Sequence, residues 1–165
     1  DSCRLLALNL LSYVDNPFKK DAKFNFDKFR SHVAMAMRMM DDIIDLELEK
    51  VEQIIEKIAA DPEDEDVRRV ELELWKKILG MAQKGRRTGL GITAEGDMLA
   101  ALGLVYGSEE AIAFAVEVQK TLAVEAYRAS VKMAAERGAS ILRVHDVRET
   151  VQALQVLAQL RACAA

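Results

Sequence analysis

The sequence predicts a mainly α protein, a bundle of long amphipathic helices with at most a small β element formed by residues 2–14 and 141–147. Three observations predict it. Apolar residues recur at intervals of three and four over long stretches, which stacks them along one side of a helix. Only two prolines and eight glycines occur in 165 residues, too few turn formers for a β-sandwich. The composition is 51% hydrophobic and 30% charged and is rich in Ala, Leu, Glu, Lys and Met, which favours helices.

The opening stretch from Ser2 to Val14 is almost continuously apolar after Arg4, a pattern shared by a buried strand and a short buried helix. Asp15, Asn16 and Pro17 make a turn, because Asp and Asn bond their own backbone and Pro fixes φ. From Asn25, the residues Phe29, Val33, Met37, Met40, Ile44, Leu48, Val51, Ile55 and Ile58 form one stripe, which predicts a helix to about Ala60. Asp61, Pro62 and the acidic run Glu63–Asp66 interrupt it, and acidic residues suit the N-terminus of a following helix. On that second helix Val70, Leu74, Ile78 and Met81 are expected to face inward. Seven of the eight glycines lie between Gly80 and Gly107, which predicts close turns around a short helix from Ala94 to Leu102. Ser108 caps a helix of about thirty residues carrying Phe114, Val118, Leu122, Ala126, Ala129 and Met133 on one face. Gly138 ends it. Ile141–Val147 then reads as a short strand, and Glu149 to about Ala162 as a last helix, with Asp146 and Glu149 as its capping box.

The net charge of −4, without a basic cluster, argues against nucleic-acid binding, which needs Lys and Arg gathered to displace counterions. Cys3 and Cys163 stand at opposite ends of the chain and form neither a disulfide framework nor a zinc pattern, so a reducing cytoplasm is expected. No run approaches the roughly 18 apolar residues of a membrane span, and a secretory leader pattern is lacking, so no membrane partner is expected. Asp1 in place of a starting methionine suggests a processed or excised piece.

Asp41, Asp42 and Asp45 spell Asp-Asp-x-x-Asp, a pattern that binds magnesium diphosphate in helical prenyl-transfer enzymes. Asp41 and Asp45, four apart, project together and form a candidate metal pair. The favoured reading is a solvated flank beside Met37, Met40 and Ile44, with no metal bound. Gly89, Gly91 and Ala94 match the dinucleotide fingerprint in letters, without the preceding apolar strand that fingerprint requires. Arg86 and Arg87, beside pliable glycine backbone, are candidate anion ligands, as are Arg143 and His145, which share a face if their segment is a strand. His32 reads as a partly buried helix residue. Phosphate or a nucleotide is the ligand chemistry these basic residues suit.

Several runs resemble the large chain of ribonucleotide reductases, closest to the adenosylcobalamin-dependent class. They are Ser2-Cys3-Arg4-Leu5 with Asn9-Leu10, then Met40-Asp41-Asp42-Ile43-Ile44-Asp45, and above all Gly85-Arg86-Arg87-Thr88-Gly89-Leu90-Gly91-Ile92-Thr93. Gly96–Leu99, Tyr106–Glu110 and Ala134–Gly138 continue the likeness, which covers residues 1–139. The resemblance implies that Cys3 occupies a position of the redox pair that delivers electrons to the ribose. It implies adenosylcobalamin for the parent family, and none in this fragment, because the Asn-x-Cys-x-Glu radical loop, the partner cysteine and the cobalamin region are not in the sequence. The tail, Gly138–Val147 with the helix to Leu160, is similar to the last strand and helix of dihydropteroate synthase, where residues like Arg143 and His145 hold an anionic group.

Two families meeting near Gly138 imply a chimera: a reductase-like helical segment, 1–139, and a strand–helix tail, 140–165, packed on the same domain. The functional expectation is a non-catalytic, self-associating helical scaffold, a homo-oligomer. The alternatives are part of a working reductase that converts ribonucleotides to deoxyribonucleotides, or a small anion- or diphosphate-binding enzyme.

Overall fold

The computed structural model describes residues 4–136 and, beyond them, Gln155. The expected strand at 141–147, the last helix, the tail 140–165, and Cys3, Arg143, His145 and Cys163 lie outside the described residues.

The elements follow in the order β1 (Arg4–Asn9), a 3-10 turn (Leu10–Tyr13), β2 (Val14–Asp15), β3 (Lys23–Phe24), α1 (Phe26–Ala60), α2 (Glu65–Gly85), β4 (Thr88–Thr93), α3 (Glu95–Ala101) and α4 (Glu109–Glu136). Helix dominates, and the strands form two two-stranded sheets, β1 with β4 and β2 with β3. The ambiguous opening stretch is strand first and helical turn second. The switch occurs at Asn9, whose side chain accepts a hydrogen bond from the Leu11 N–H at 3.1 Å.

By its internal contacts the chain divides into two compact units. The first is Met39–Gly89 with the chain up to Leu6. Within it the outer part of α1 and all of α2 form a helical hairpin, joined by the four residues Asp61–Asp64. Asp64 caps α2 by accepting from the Asp66 N–H at 2.9 Å, and Arg68 donates to the Asp61 carbonyl at 3.1 Å, closing the connection. Met40, Ile44, Val51 and Ile58 are buried on α1, as the stripe predicts.

The expected inward face of α2 is corrected. Val70, Leu74 and Met81 are more than half exposed, whereas Ile78 of the expected face is half-buried, as are Leu72, Trp75 and Leu79, and Ala82 is fully buried. Both sets have helical spacing, 70-74-78-81 and 72-75-79-82, so periodicity alone does not choose between them. The hairpin selects the set in line with Arg86, which lies four residues beyond Ala82 and pairs with α1.

The second unit is Ala7–Arg38 with the chain from Leu90 onward. Its core gathers Leu10, Tyr13 and Val14 from the turn region, Phe24 from β3, Phe29 and Val33 from α1, Met98, Leu99 and Ala101 from α3, and Ala111, Val118 and Leu122 from α4. Aromatic rings fill the middle. Tyr13 lies 4.9 Å from Phe29, Phe24 lies 5.4 Å from Phe29 and 5.8 Å from Phe114, and those three pairs are edge-to-face. Asn25 starts α1 by accepting from the Lys28 N–H at 3.0 Å, and Ser108 starts α4 by accepting from the Ala111 N–H at 3.2 Å. The β2–β3 pair is antiparallel, Val14 opposite Phe24, and its connection uses Asn16 and Phe18 at φ 52° and 63°. Among the described residues no helix is long and apolar enough to cross a membrane.

Candidate functional site

Of the residues singled out by the sequence, Asp41, Asp45, Arg86 and Arg87 lie in the first unit, where α1 presents Asp41, Asp45 and also Glu47 within two turns. Residues four apart share a helix face, so Asp41 and Asp45 do project together. What lies between them is the Arg86 guanidinium. Its Nε donates to Asp41 Oδ1 at 2.7 Å, Nη1 to Asp45 Oδ1 at 2.8 Å and Nη2 to the Asp41 carbonyl oxygen at 3.0 Å. The Asp41 side chain is 14% exposed and that of Arg86 22%, so water screens the pair only in part.

α2 ends there because Arg86 adopts the left-handed conformation, φ 40° and ψ 49°, while its N–H still donates to the Ala82 carbonyl. The candidate anion ligand Arg86 and the candidate metal pair Asp41 and Asp45 thus meet one another. Arg87 follows with an exposed side chain, and its carbonyl accepts from Arg4 Nη1 at 3.4 Å.

Arg4 is the second anchor, present in the sequence only as a member of the Ser2–Leu5 run and not as a candidate site residue. It opens β1, is 8% exposed, and forms an ion pair with Glu47 of α1. A charge this buried is stable only when paired and hydrogen-bonded. A charged residue before an apolar run, next to Cys3, was the one available signal.

The glycine-rich run proves to be the body of a strand. Gly89 and Gly91 lie within β4 rather than in a strand-to-helix turn, which removes the dinucleotide-loop geometry. A methyl group built at Gly91 meets nothing within 4 Å among the described residues. Leu90 and Ile92, alternate residues of β4, pack on the core of the second unit. Ala94 then turns into α3 with φ 60° and no side-chain cap.

His32 is half-buried on α1 as expected, with Nδ1 3.3 Å from the Tyr13 hydroxyl and the two rings edge-to-face. Burial pushes the Tyr13 phenol above its ordinary value near 10.0. No group of three or more His, Cys, Asp or Glu gathers for a metal among the described residues. His32, the histidine among those residues, is already engaged by Tyr13.

Comparison with known proteins follows the same lines. The sequence profile of the family described as "Ribonucleotide reductase, barrel domain" matches residues 1–149, ten residues past the junction expected at Ala139. The vitamin B12-dependent ribonucleoside-diphosphate reductase of Thermoplasma acidophilum is 33% identical over 138 residues, covering 84% of this chain and 14% of its own. The proteins of that name from Mycobacterium tuberculosis strains CDC 1551 and H37Rv are each 27% identical over 139 residues, covering 84% of this chain and 16% of theirs. The chain therefore spans about one sixth or less of the length of these relatives. No solved structure matches it. With the glycine–arginine run, the Asp41–Asp45 helix and the Arg4 strand on one scaffold and the profile covering nine-tenths of the sequence, the chain belongs to the ribonucleotide reductase barrel-domain family.

Proposed function

We propose that this chain supplies a helical framework and one redox-position cysteine, Cys3, to the barrel of a vitamin B12-dependent ribonucleoside-diphosphate reductase, and that it carries out no turnover by itself. The observation that supports this reading most directly is the coverage: the family profile spans residues 1–149, while the chain corresponds to only 14–16% of the reductases it resembles. By resemblance to the family, Cys3 stands at a position of the redox pair of cysteines that delivers electrons to the ribose. The radical-bearing cysteine belongs to a loop whose Asn-x-Cys-x-Glu pattern does not occur in these 165 residues. Adenosylcobalamin, when bound to the parent enzyme, supplies the radical. This chain's own part is to hold β1, with Arg4 clamped by Glu47 and by the Arg87 carbonyl.

The apolar side chains left exposed on the hairpin, among them Leu46, Val70 and Leu74, support the accompanying proposal that the isolated chain self-associates as a homo-oligomer. Incubating the purified chain with adenosylcobalamin, dithiothreitol and a ribonucleoside diphosphate is expected to yield no deoxyribonucleotide by chromatography. Sustained conversion would overturn the non-catalytic reading. Light scattering at micromolar concentration is expected to show more than one copy per particle, and a monomer would remove the scaffold proposal.

A further inference from the structure

We propose that the outer face of α2 is the surface on which a second copy of this chain docks, the two helices lying side by side in opposite directions. The proposal rests on the self-association reading and deepens it by naming the contact.

Val67, Val70, Leu74 and Met81 are 47–58% exposed and follow one another at intervals of three, four and seven, with Lys77 at the place between the last two. That is the spacing of a coiled-coil seam, in which residues alternately three and four apart meet a partner helix. The four side chains expose on the order of 400 Å² per copy, and the stems of the charged residues beside them bring the face toward the roughly 600 Å² per partner at the lower end of stable interfaces. Lys77 restricts the partner to a register that answers its charge, as one polar residue in a seam does.

Charge selects a second copy as the occupant and sets its direction. Residues 64–73 hold five carboxylates and residues 74–86 none, whereas Lys76, Lys77 and Lys84 all stand in the latter half. Arg69, in the acidic half, is taken up by Asp66 and Glu73 of its own helix at 3.3 and 3.8 Å. A helix with opposite charge in its two halves complements itself only when reversed. Reversal brings Val70 and Leu74 of one copy beside Met81 and Lys77 of the other, and each Lys77 comes within one turn of the other copy's Glu71. A parallel pairing would set Lys77 against Lys77. Because the reversed pairing is two-fold, each favourable contact occurs twice and this interface closes at two copies.

Sedimentation velocity of the full chain in dithiothreitol, which keeps cysteines from linking copies, tests this. The wild type is expected to dimerise at micromolar concentration. Leu74→Arg, at an exposed position, is expected to keep its helix content by circular dichroism and to sediment as a monomer. Lys77→Glu and Glu71→Lys each set like charges together twice and are expected to weaken the dimer roughly tenfold, while the double exchange restores it. Self-association that survives Leu74→Arg overturns this proposal and leaves the broader self-association reading standing. A wild-type monomer overturns both and leaves the face to the rest of a longer chain. A double exchange that recovers nothing overturns the reversed pairing, and the charge variants carry the comparison if Leu74→Arg loses its helices.

Discussion

Replacing Phe29 by alanine tests the core most sharply, because this side chain is fully buried and is the ring on which Tyr13 and Phe24 both converge, at 4.9 and 5.4 Å. Taking about 150 Å² of aromatic surface from water, at about 25 cal/mol per Å², contributes roughly 4 kcal/mol. A compact unfolded state lowers that figure, while the cavity left among Tyr13, Phe24 and Val33 raises it, since rigid rings collapse poorly around a void. The expected loss is about 3–5 kcal/mol, a large share of the roughly 5–15 kcal/mol that holds an ordinary domain together. Urea titration followed by circular dichroism measures it. Phe29→Leu, which keeps most of the volume, provides a folded reference with an expected loss of about 1 kcal/mol. A loss below about 1 kcal/mol for Phe29→Ala would refute the packing argument, because no buried ring leaves so small a deficit.

Further outcomes follow from other contacts. Ile44→Ala, at a fully buried position of α1, is expected to cost about 2–5 kcal/mol, while Leu74→Ala on the exposed side of α2 costs less than about 0.5 kcal/mol. Equal losses in urea titration would reverse the assignment of the α2 face. Glu47→Gln removes the negative charge that Glu47 sets against the buried Arg4. The expected loss is about 2 kcal/mol, below the usual range for a broken buried pair because the Glu47 side chain is 29% exposed. A neutral result in the same assay would show that the pair contributes nothing net. Asn25→Ala removes the α1 cap and is expected to cost about 1 kcal/mol, read as a lower thermal midpoint.

The Tyr13 phenol is raised by burial, so below pH 10.0 both states keep the proton and stability does not depend on this group. Above it the unfolded chain ionises first, binds fewer protons than the folded chain, and stability falls as pH rises toward the folded pKa. Comparing urea midpoints at about pH 9 and about pH 10.5 in wild type and Tyr13→Phe isolates this component from lysine titration. An equal decline in both proteins would assign the pH dependence elsewhere.

The residues themselves determined the helices wherever a cap and an uninterrupted stripe coincide. Asn25 with the Phe29–Ile58 stripe, the Asp61–Asp66 break, and Ser108 with Phe114, Val118 and Leu122 specify α1, the hairpin connection and α4 from local chemistry alone. The family, too, was legible in the run from Gly85 to Thr93. Three matters required the folded chain. The α2 sequence offers two stripes of similar spacing, and only the fold covers Trp75, Leu79 and Ala82 while leaving Val70, Leu74 and Met81 exposed. The run around Gly89 and Gly91 reads as a turn because glycine lacks strand propensity, yet pairing with β1 and burial of Leu90 and Ile92 make it a strand. Asp41, Asp45 and Arg86 read separately as a cation site and an anion ligand, because charge pairing across 45 residues leaves no local periodicity. Local rules describe how a segment bends, whereas the choice of face, strand partner and ionic partner belongs to contacts between segments far apart in the chain.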